Sequence, residues 1–359
     1  MSASPTPILS IRARALDVPM KKPFGIAGGA QVEAKNVLVE LQVPGDVRGW
    51  GEGAPFPAFN GETQDQVLRA CATAAPLLEG VDLHDDAPIR ERVRDACAGA
   101  PSAVCAIETA VFDARARLAG RSLRELFGGA EHELVTDITI TTGSVEDATR
   151  EARTFAAFGT LKVKVGGGDV DRDVARVLAV RAARPDARIL VDANAGFSVD
   201  DALRFAAKAA PAGIALFEQP VAPGDWDALA EVRLRTELTI AIDESITCAG
   251  DVGEAKRRRA ADAVNVKIMK SGIFEALAIV QRAKEEGLVR MIGGMVETRL
   301  AMGMSACIAA GVGGFTFIDL DTPLFLASDP FEGGYAQDGE RIDLRPIDVG
   351  HGATPRGTT

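Results

Sequence analysis

The chain has 359 residues, 47% apolar and 25% charged, with a formal charge of −11. That size and composition fit a soluble globular protein of two structural units and exclude a disordered or fibrous chain, while no apolar run reaches the length of a membrane span. The acidic balance argues against nucleic acid and anionic membrane as partners, and five cysteines without C-x-x-C spacing indicate neither a disulfide framework nor a zinc site.

In chain order, the first residues lack the basic segment and apolar core of a secretory leader, so the protein reads as cytoplasmic. Alternating segments at residues 8–18 and 36–43 predict antiparallel strands, and residues 63–79, 87–98 and 102–119 have helical spacing. Residues 19–29 and 49–61 are dense in glycine and proline and predict two long loops of the kind that cover a binding site. Residues 1–130 are therefore an α+β unit. From 131 to 324, strand-like runs alternate with helical patterns at 198–210, 225–236, 272–286 and 300–310, which predicts a parallel sheet clothed by helices. Eight strand candidates, from 134–141 to 314–318, favour a closed barrel over an open sheet. Residues 325–359 are expected to pack back on the first unit.

Lys164, Asp192, Glu218, Asp243, Lys267 and Glu297 each end an apolar run, at intervals of 28, 26, 25, 24 and 30 residues. This is one ionisable group per strand–helix unit, and charges at the C-terminal ends of barrel strands converge on one mouth. Asp192, Glu218 and Asp243 end three consecutive strands, so their carboxylates are expected close together. An all-oxygen set of that kind suits Mg²⁺, with Mn²⁺ as the other candidate. Lys162 and Lys164 share one strand face. Like charge and a nearby metal are expected to lower their pKa, making Lys164 a candidate base and leaving Lys162 to hold substrate charge. Lys267 enters from the other side of the mouth. Two lysines across a metal-bound substrate can take a proton α to a carboxylate from one face and return one to the other, through an enediolate stabilised by the cation.

These residues resemble the enolase superfamily, and within it the muconate-lactonizing-enzyme subgroup. The resemblance rests on Lys162-Val-Lys164, Asp192-Ala-Asn194, Glu218-Gln-Pro220, Asp243-Glu-Ser245 and Lys267-Ile-Met-Lys-Ser-Gly272. Gly49-Trp-Gly-Glu52, Ala106-Ile-Glu108, Asp113 and Leu126-Phe-Gly-Gly129 extend it into the first unit. It implies a (β/α)7β TIM-like barrel under an α+β capping domain, Mg²⁺ on Asp192, Glu218 and Asp243, acid/base lysines at Lys164 and Lys267, and supporting roles for Asn194 and Glu244. Asp319-Leu-Asp321 resembles the D-x-D motif of dipeptide epimerases, where the pair binds the substrate's α-ammonium group. The function so implied is an isomerase that epimerises the C-terminal residue of a dipeptide.

The arginine that epimerases of L-Ala-D/L-Glu carry in the first lid loop is absent from Phe24-Gly-Ile-Ala-Gly-Gly29. Lys21 and Lys22 are candidate replacements. Phe24 remains a candidate substrate contact, Glu297 a candidate partner of Lys267 or the substrate, and Phe56, Phe59 and Met295 are as compatible with an apolar side-chain pocket as with core. The alternatives are an N-acylamino acid racemase, or a cycloisomerase or o-succinylbenzoate synthase-type lyase of the same subgroup. A homo-oligomer is expected.

Overall fold

The structure, a computed structural model, describes residues 5–357. Its first unit is an antiparallel sheet of β1 (Ser10–Ile26), β2 (Gly29–Val43) and β3 (Val47–Gly53), backed by helices Gln64–Leu78, Asp86–Ala96 and Pro101–Leu118. The first helix starts where Thr63 accepts from the Gln66 backbone and Gln66 reaches back, a reciprocal capping box.

Both expected lid loops are partly strand. Residues 19–26 continue β1, with a register shift between Pro19 and Phe24, so the first lid is the far end of a long β1–β2 hairpin whose turn lies between Ile26 and Gly29. Residues 49–53 belong to β3, and their glycines have a packing cause. Gly49, Gly51 and Gly53 recur on one face, and a Cβ on them would stand 2.0 Å from Ala110 O, 1.9 Å from Ala106 O and 2.6 Å from Ser102 O. The helix Pro101–Leu118 therefore lies directly on the strand backbone, a contact only glycine permits. Only residues 54–61 remain as the second lid, with a short helix at Pro57–Asn60.

The second unit is a (β/α)7β barrel. A short strand β4 (Glu133–Val135) pairs outside it with Arg341–Asp343. The barrel strands are β5 (Ile138–Ile140), β6 (Thr160–Lys164), β7 (Arg188–Asp192), β8 (Ile214–Glu218), β9 (Ile240–Ile242), β10 (Ala263–Val266), β11 (Val289–Ile292) and β12 (Phe317–Ile318), hydrogen-bonded in that order. The run expected as one strand at 134–141 is split because Thr136 and Asp137 turn the chain from β4 into the barrel. The seam between β12 and β5 is closed by Asp137 N–H to Ile318 O at 2.9 Å and Thr139 N–H to the Asp321 carboxylate at 2.6 Å. Leu190, Leu216, Ala241, Ala263, Met291 and Phe317 form a separate buried apolar layer on the barrel strands.

After the barrel the chain meets the capping unit at Leu326, which bridges to Met20, and again at His351, whose backbone N–H donates to Asp113 while its ring Nε2 lies 3.0 Å from Trp50 O. Two buried glutamates join the units from the other direction. Glu52 of β3 accepts from Thr298 N (3.0 Å) and Ala301 N (3.1 Å), at the start of helix Arg299–Val312. Glu108 accepts from Ile273 N (2.6 Å) and Phe274 N (3.1 Å), at the start of helix Ile273–Glu285. That second helix begins at Gly272, which has no side chain to cap it, and a Cβ there would stand 2.5 Å from the Glu108 carboxylate. The cap supplied by the neighbouring unit occupies the place a side chain would need.

Candidate active site

At the C-terminal mouth of the barrel the ends of β6 to β10 present Lys164, Asp192, Glu218, Asp243 and Lys267 in succession. Lys164 and Lys267 come from strands four apart in an eight-stranded barrel, so they enter from opposite sides with the three carboxylates between them. All five are buried.

Asp192, Glu218 and Asp243, whose carboxylates were expected close together, do not bring one oxygen each within 4.8 Å of one another, because ammonium groups are threaded among them. Lys164 Nζ lies 2.7 Å from Asp192, and Lys162 Nζ lies 3.2 Å from Asp192, 2.8 Å from Glu218 and 2.7 Å from Asp319. Lys267 and Lys270 hold the two oxygens of Asp243 at 2.7 and 2.6 Å. Against the pull of burial, these lysines keep Asp192 and Asp243 below the ordinary carboxylate range, Asp243 at about 2. Glu218 goes the other way. Burial, followed by the charge of Asp192, pushes it up to about 7, although Lys162 and the Asn265 amide contact it.

The lysines also differ from expectation. Burial works against the charge of Lys162, whose pKa was expected to fall, but Asp319, Glu218, Asp192 and Asp137 together outweigh it and hold that pKa above the ordinary value. Lys267 is likewise held up, against burial, by Asp243, Glu218 and Asp192 together. The protein's own groups do not produce a free amine there. Lys162, expected to meet substrate charge, spends its ammonium on three carboxylates.

Local backbone geometry serves these residues. Asn194, Ala195 and Gln219 have φ of 42°, 62° and 34°, a left-handed conformation that costs roughly 1 to 3 kcal/mol each outside glycine. Asn194 thereby donates its N–H to Asp192 (2.9 Å) and its amide to Glu244 (3.1 Å), while Gln219 accepts from Asp243 N (3.0 Å). Burial and the nearby Asp243 raise Glu244 to about 8.

Above this floor is a cavity of about 20 Å³, room for about one water. Lys164, Lys267, Asn194, Asp319 and Asp321 line it together with Phe24, Ile26, Phe56, Phe59 and Met295. Phe24 and Ile26 come from the end of the hairpin and Phe56 and Phe59 from the second lid, so the capping unit roofs the barrel mouth with apolar side chains. Neither Lys21 nor Lys22 is among the lining residues: Lys21 donates to Leu324 O at 2.9 Å, and Lys22 pairs with Glu151. Glu297 is also outside the cavity. Its carboxylate accepts from Met295 N (2.8 Å) and fixes the wall that Met295 forms, while burial raises it to about 8.

Asp137 was not foreseen. Its oxygens, with those of Asp319 and Asp321, lie within 4.8 Å of one another, the only such group of three acidic or metal-ligating side chains among the described residues. Burial and then Asp319 raise the Asp137 carboxyl far above its usual range. Burial, then Asp319, lifts Asp321 to about 7. Asp137 sits at the start of a strand, and nothing in its local sequence points across the seam to residue 319. Lys270 was legible only as part of the Lys267–Gly272 run, and its hold on Asp243 depends on the short helix Ile268–Ser271 that turns it back.

The donors present fit a hard divalent cation. They are all oxygen, they are buried, and Glu218 stays an acid of about 7 between two anions until further positive charge arrives. The neighbouring oxygens Asn194 Oδ1 and Glu244 Oε2 have no hydrogen-bond partner.

Comparison with known proteins places this architecture. Residues 10–128 match the mandelate racemase / muconate lactonizing enzyme N-terminal domain, and residues 144–358 the enolase C-terminal domain-like family. The chain is 43% identical over 352 residues to the aromatic dipeptide epimerase of Herpetosiphon aurantiacus, covering 97% of this chain and 99% of that one. It is 36% identical to the hydrophobic dipeptide epimerase of Citrifermentans bemidjiense, over 96% of each. The dipeptide epimerase of Enterococcus faecalis, solved with Mg and the dipeptide L-Leu-L-Tyr, superposes with a TM-score of 0.93 at 32% identity, covering 97% of this chain and 99% of that one.

Proposed function

Because the chain belongs to the enolase superfamily, with a mandelate racemase / muconate lactonizing enzyme capping domain ahead of its barrel, we propose that it is a dipeptide epimerase for substrates with apolar side chains. The observation that carries this reading is the cavity itself. Two lysines from opposite sides of the barrel and an acidic pair line it, and the rest of the lining is mainly Phe24, Ile26, Phe56, Phe59 and Met295, without an arginine or free lysine to meet an acidic side chain. Relatives with the names aromatic and hydrophobic dipeptide epimerase support it.

In this reading Asp192, Glu218 and Asp243 hold Mg²⁺, as the complex of the Enterococcus faecalis enzyme with Mg supports. When bound, the cation supplies Lewis-acid stabilisation for the substrate's terminal carboxylate. Asp319 and Asp321 receive the α-ammonium group at the other end of the dipeptide, setting which α-carbon lies between the lysines. One lysine, as the neutral amine, takes the α-proton of the C-terminal residue and becomes an ammonium. The other, as an ammonium, gives a proton to the opposite face of the enediolate and becomes an amine. The step is balanced and the configuration inverts. The roof excludes water, which protects the carbanionic intermediate and strengthens the electrostatics around it. A dipeptide is far larger than a space of about 20 Å³, so the hairpin and second lid move aside to admit it.

The test is a mass-spectrometric screen of L-Xaa-L-Yaa dipeptides in D₂O with Mg²⁺. The expected outcome is a one-dalton gain at the C-terminal residue's α-carbon for aromatic and branched side chains and little for L-Ala-L-Glu. Exchange confined to glutamate-containing dipeptides would overturn the apolar assignment. Exchange of N-acyl amino acids alone would overturn the dipeptide assignment.

A further inference from the structure

Phe59 is where the reaction cavity meets a second space. On one side it lines the chamber that holds both lysines. On the other it lines a cavity of about 460 Å³ in the seam between cap and barrel, with Glu62, Gln66, Glu244 and Lys270. That space adjoins another of about 400 Å³ through Gly99, Pro101, Thr247 and Lys270, whose lining extends to Arg94, a largely exposed side chain. Among the described residues, Phe59 is the one that lines both the chamber and the seam cavity.

The same ring covers one lysine and not the other. Lys267 Nζ lies 5.2 Å from the Phe59 ring centroid, within the range of a cation–π contact. No aromatic ring among the described residues lies over Lys164, whose ammonium is held by Asp192 at 2.7 Å. Lys267 has a divided hold on its own carboxylate, because Asp243 also receives Lys270 at 2.6 Å. A lysine ammonium on a flexible four-carbon stem needs more than a shared carboxylate to stay aimed at one point. The ring supplies a second surface, in a site where little water competes for the cation.

Resting on the epimerase reading, we propose that Phe59 is a positioning residue for Lys267: its ring holds that ammonium against the α-carbon and seals the chamber from the seam cavity. The two half-reactions then depend unequally on the second lid. The half in which Lys267 exchanges a proton with the substrate needs Phe59, and the half served by Lys164 does not.

The proposal is tested by following α-proton exchange in D₂O for each epimer of a good dipeptide separately, before inversion accumulates. Lys267→Ala identifies the epimer whose exchange requires Lys267. In Phe59→Leu, exchange of that epimer is expected to fall roughly tenfold and that of the other by less than about twofold, since the loss is that of one desolvated cation–π contact. Phe59→Tyr, which keeps an aromatic face, should restore the wild-type ratio. Equal losses for both epimers, or none, would overturn the Phe59 assignment. A wild-type enzyme that exchanges neither epimer would sink the epimerase reading and this inference together, a result distinguishable from equal losses.

Discussion

Two groups of buried carboxylates in this protein have opposite electrostatics. At the barrel mouth, Asp192 and Asp243 face ammonium groups at 2.6 to 3.2 Å and are held as strong acids. In the seam, Glu52 and Glu108 face the backbone N–H groups that start two barrel helices, and burial pushes both carboxyls up, Glu108 to about 7. Helix N-termini offer partial charge only, about half an elementary charge at best, and cannot match a lysine across the same distance. Burial alone therefore does not mark chemistry. What separates the groups is the partner: titratable ammonium groups at the mouth can pass protons, whereas peptide N–H groups in the seam can only hold a helix in place.

The contrast is tested most severely at the lysines. Lys164→Ala and Lys267→Ala should each lower epimerisation by roughly a thousandfold or more, the scale of a lost general acid or base. Each variant should retain proton exchange in one substrate epimer only. Full turnover by either one would remove the proton-passing role from the mouth and with it the distinction drawn above.

A seam carboxylate should show the reverse profile. Glu52 accepts from Thr298 N, Ala301 N, Thr298 Oγ1 and the Asn36 amide, the last two at 2.6 and 2.7 Å. Glu52→Ala strands these donors in a dry interface and should cost about 3 kcal/mol of stability in a denaturant titration. Turnover per folded molecule should fall far less than in the lysine variants. A loss of turnover on the lysine scale with unchanged stability would place Glu52 in the chemistry instead.

How much of this was visible in the sequence follows from the same physics. The barrel and its mouth were legible because each strand end carries one charged residue at a near-constant spacing, and strand ends share one direction. The lids were less so. Proline and glycine at 19–29 read as a loop, yet a bulge between Pro19 and Phe24 lets the hairpin continue through them. The alternation of Gly49, Gly51 and Gly53 was a strand signal, but its cause is the helix Pro101–Leu118, which no single segment reveals. The threading of lysines between the carboxylates depends on how far long side chains reach across neighbouring strands. The proximity of Asp137 to Asp319 joins residues 182 apart across the barrel seam, beyond any local pattern.

The smallest expected effect sharpens the comparison through pH. Glu108 has an ordinary carboxyl pKa of 4.5 when unfolded and about 7 in the fold, with burial as the cause and the N–H groups of Phe274 and Ile273 only partly offsetting it. Between those two values the folded protein binds the proton that the unfolded chain has lost, so this group's contribution to stability declines as pH rises from about 4.5 and levels off above 7. Glu108→Gln keeps an oxygen for the helix N-terminus and removes the titration. The difference in unfolding free energy, variant minus wild type, should therefore rise by roughly 2 kcal/mol between pH 5 and 7 and stay flat above pH 8. Taking the difference cancels the carboxylates of the mouth, which both proteins share. A difference that falls over the same range would mean that the ionised carboxylate stabilises the seam, and that a helix N-terminus can do for a buried charge what the lysines do at the mouth.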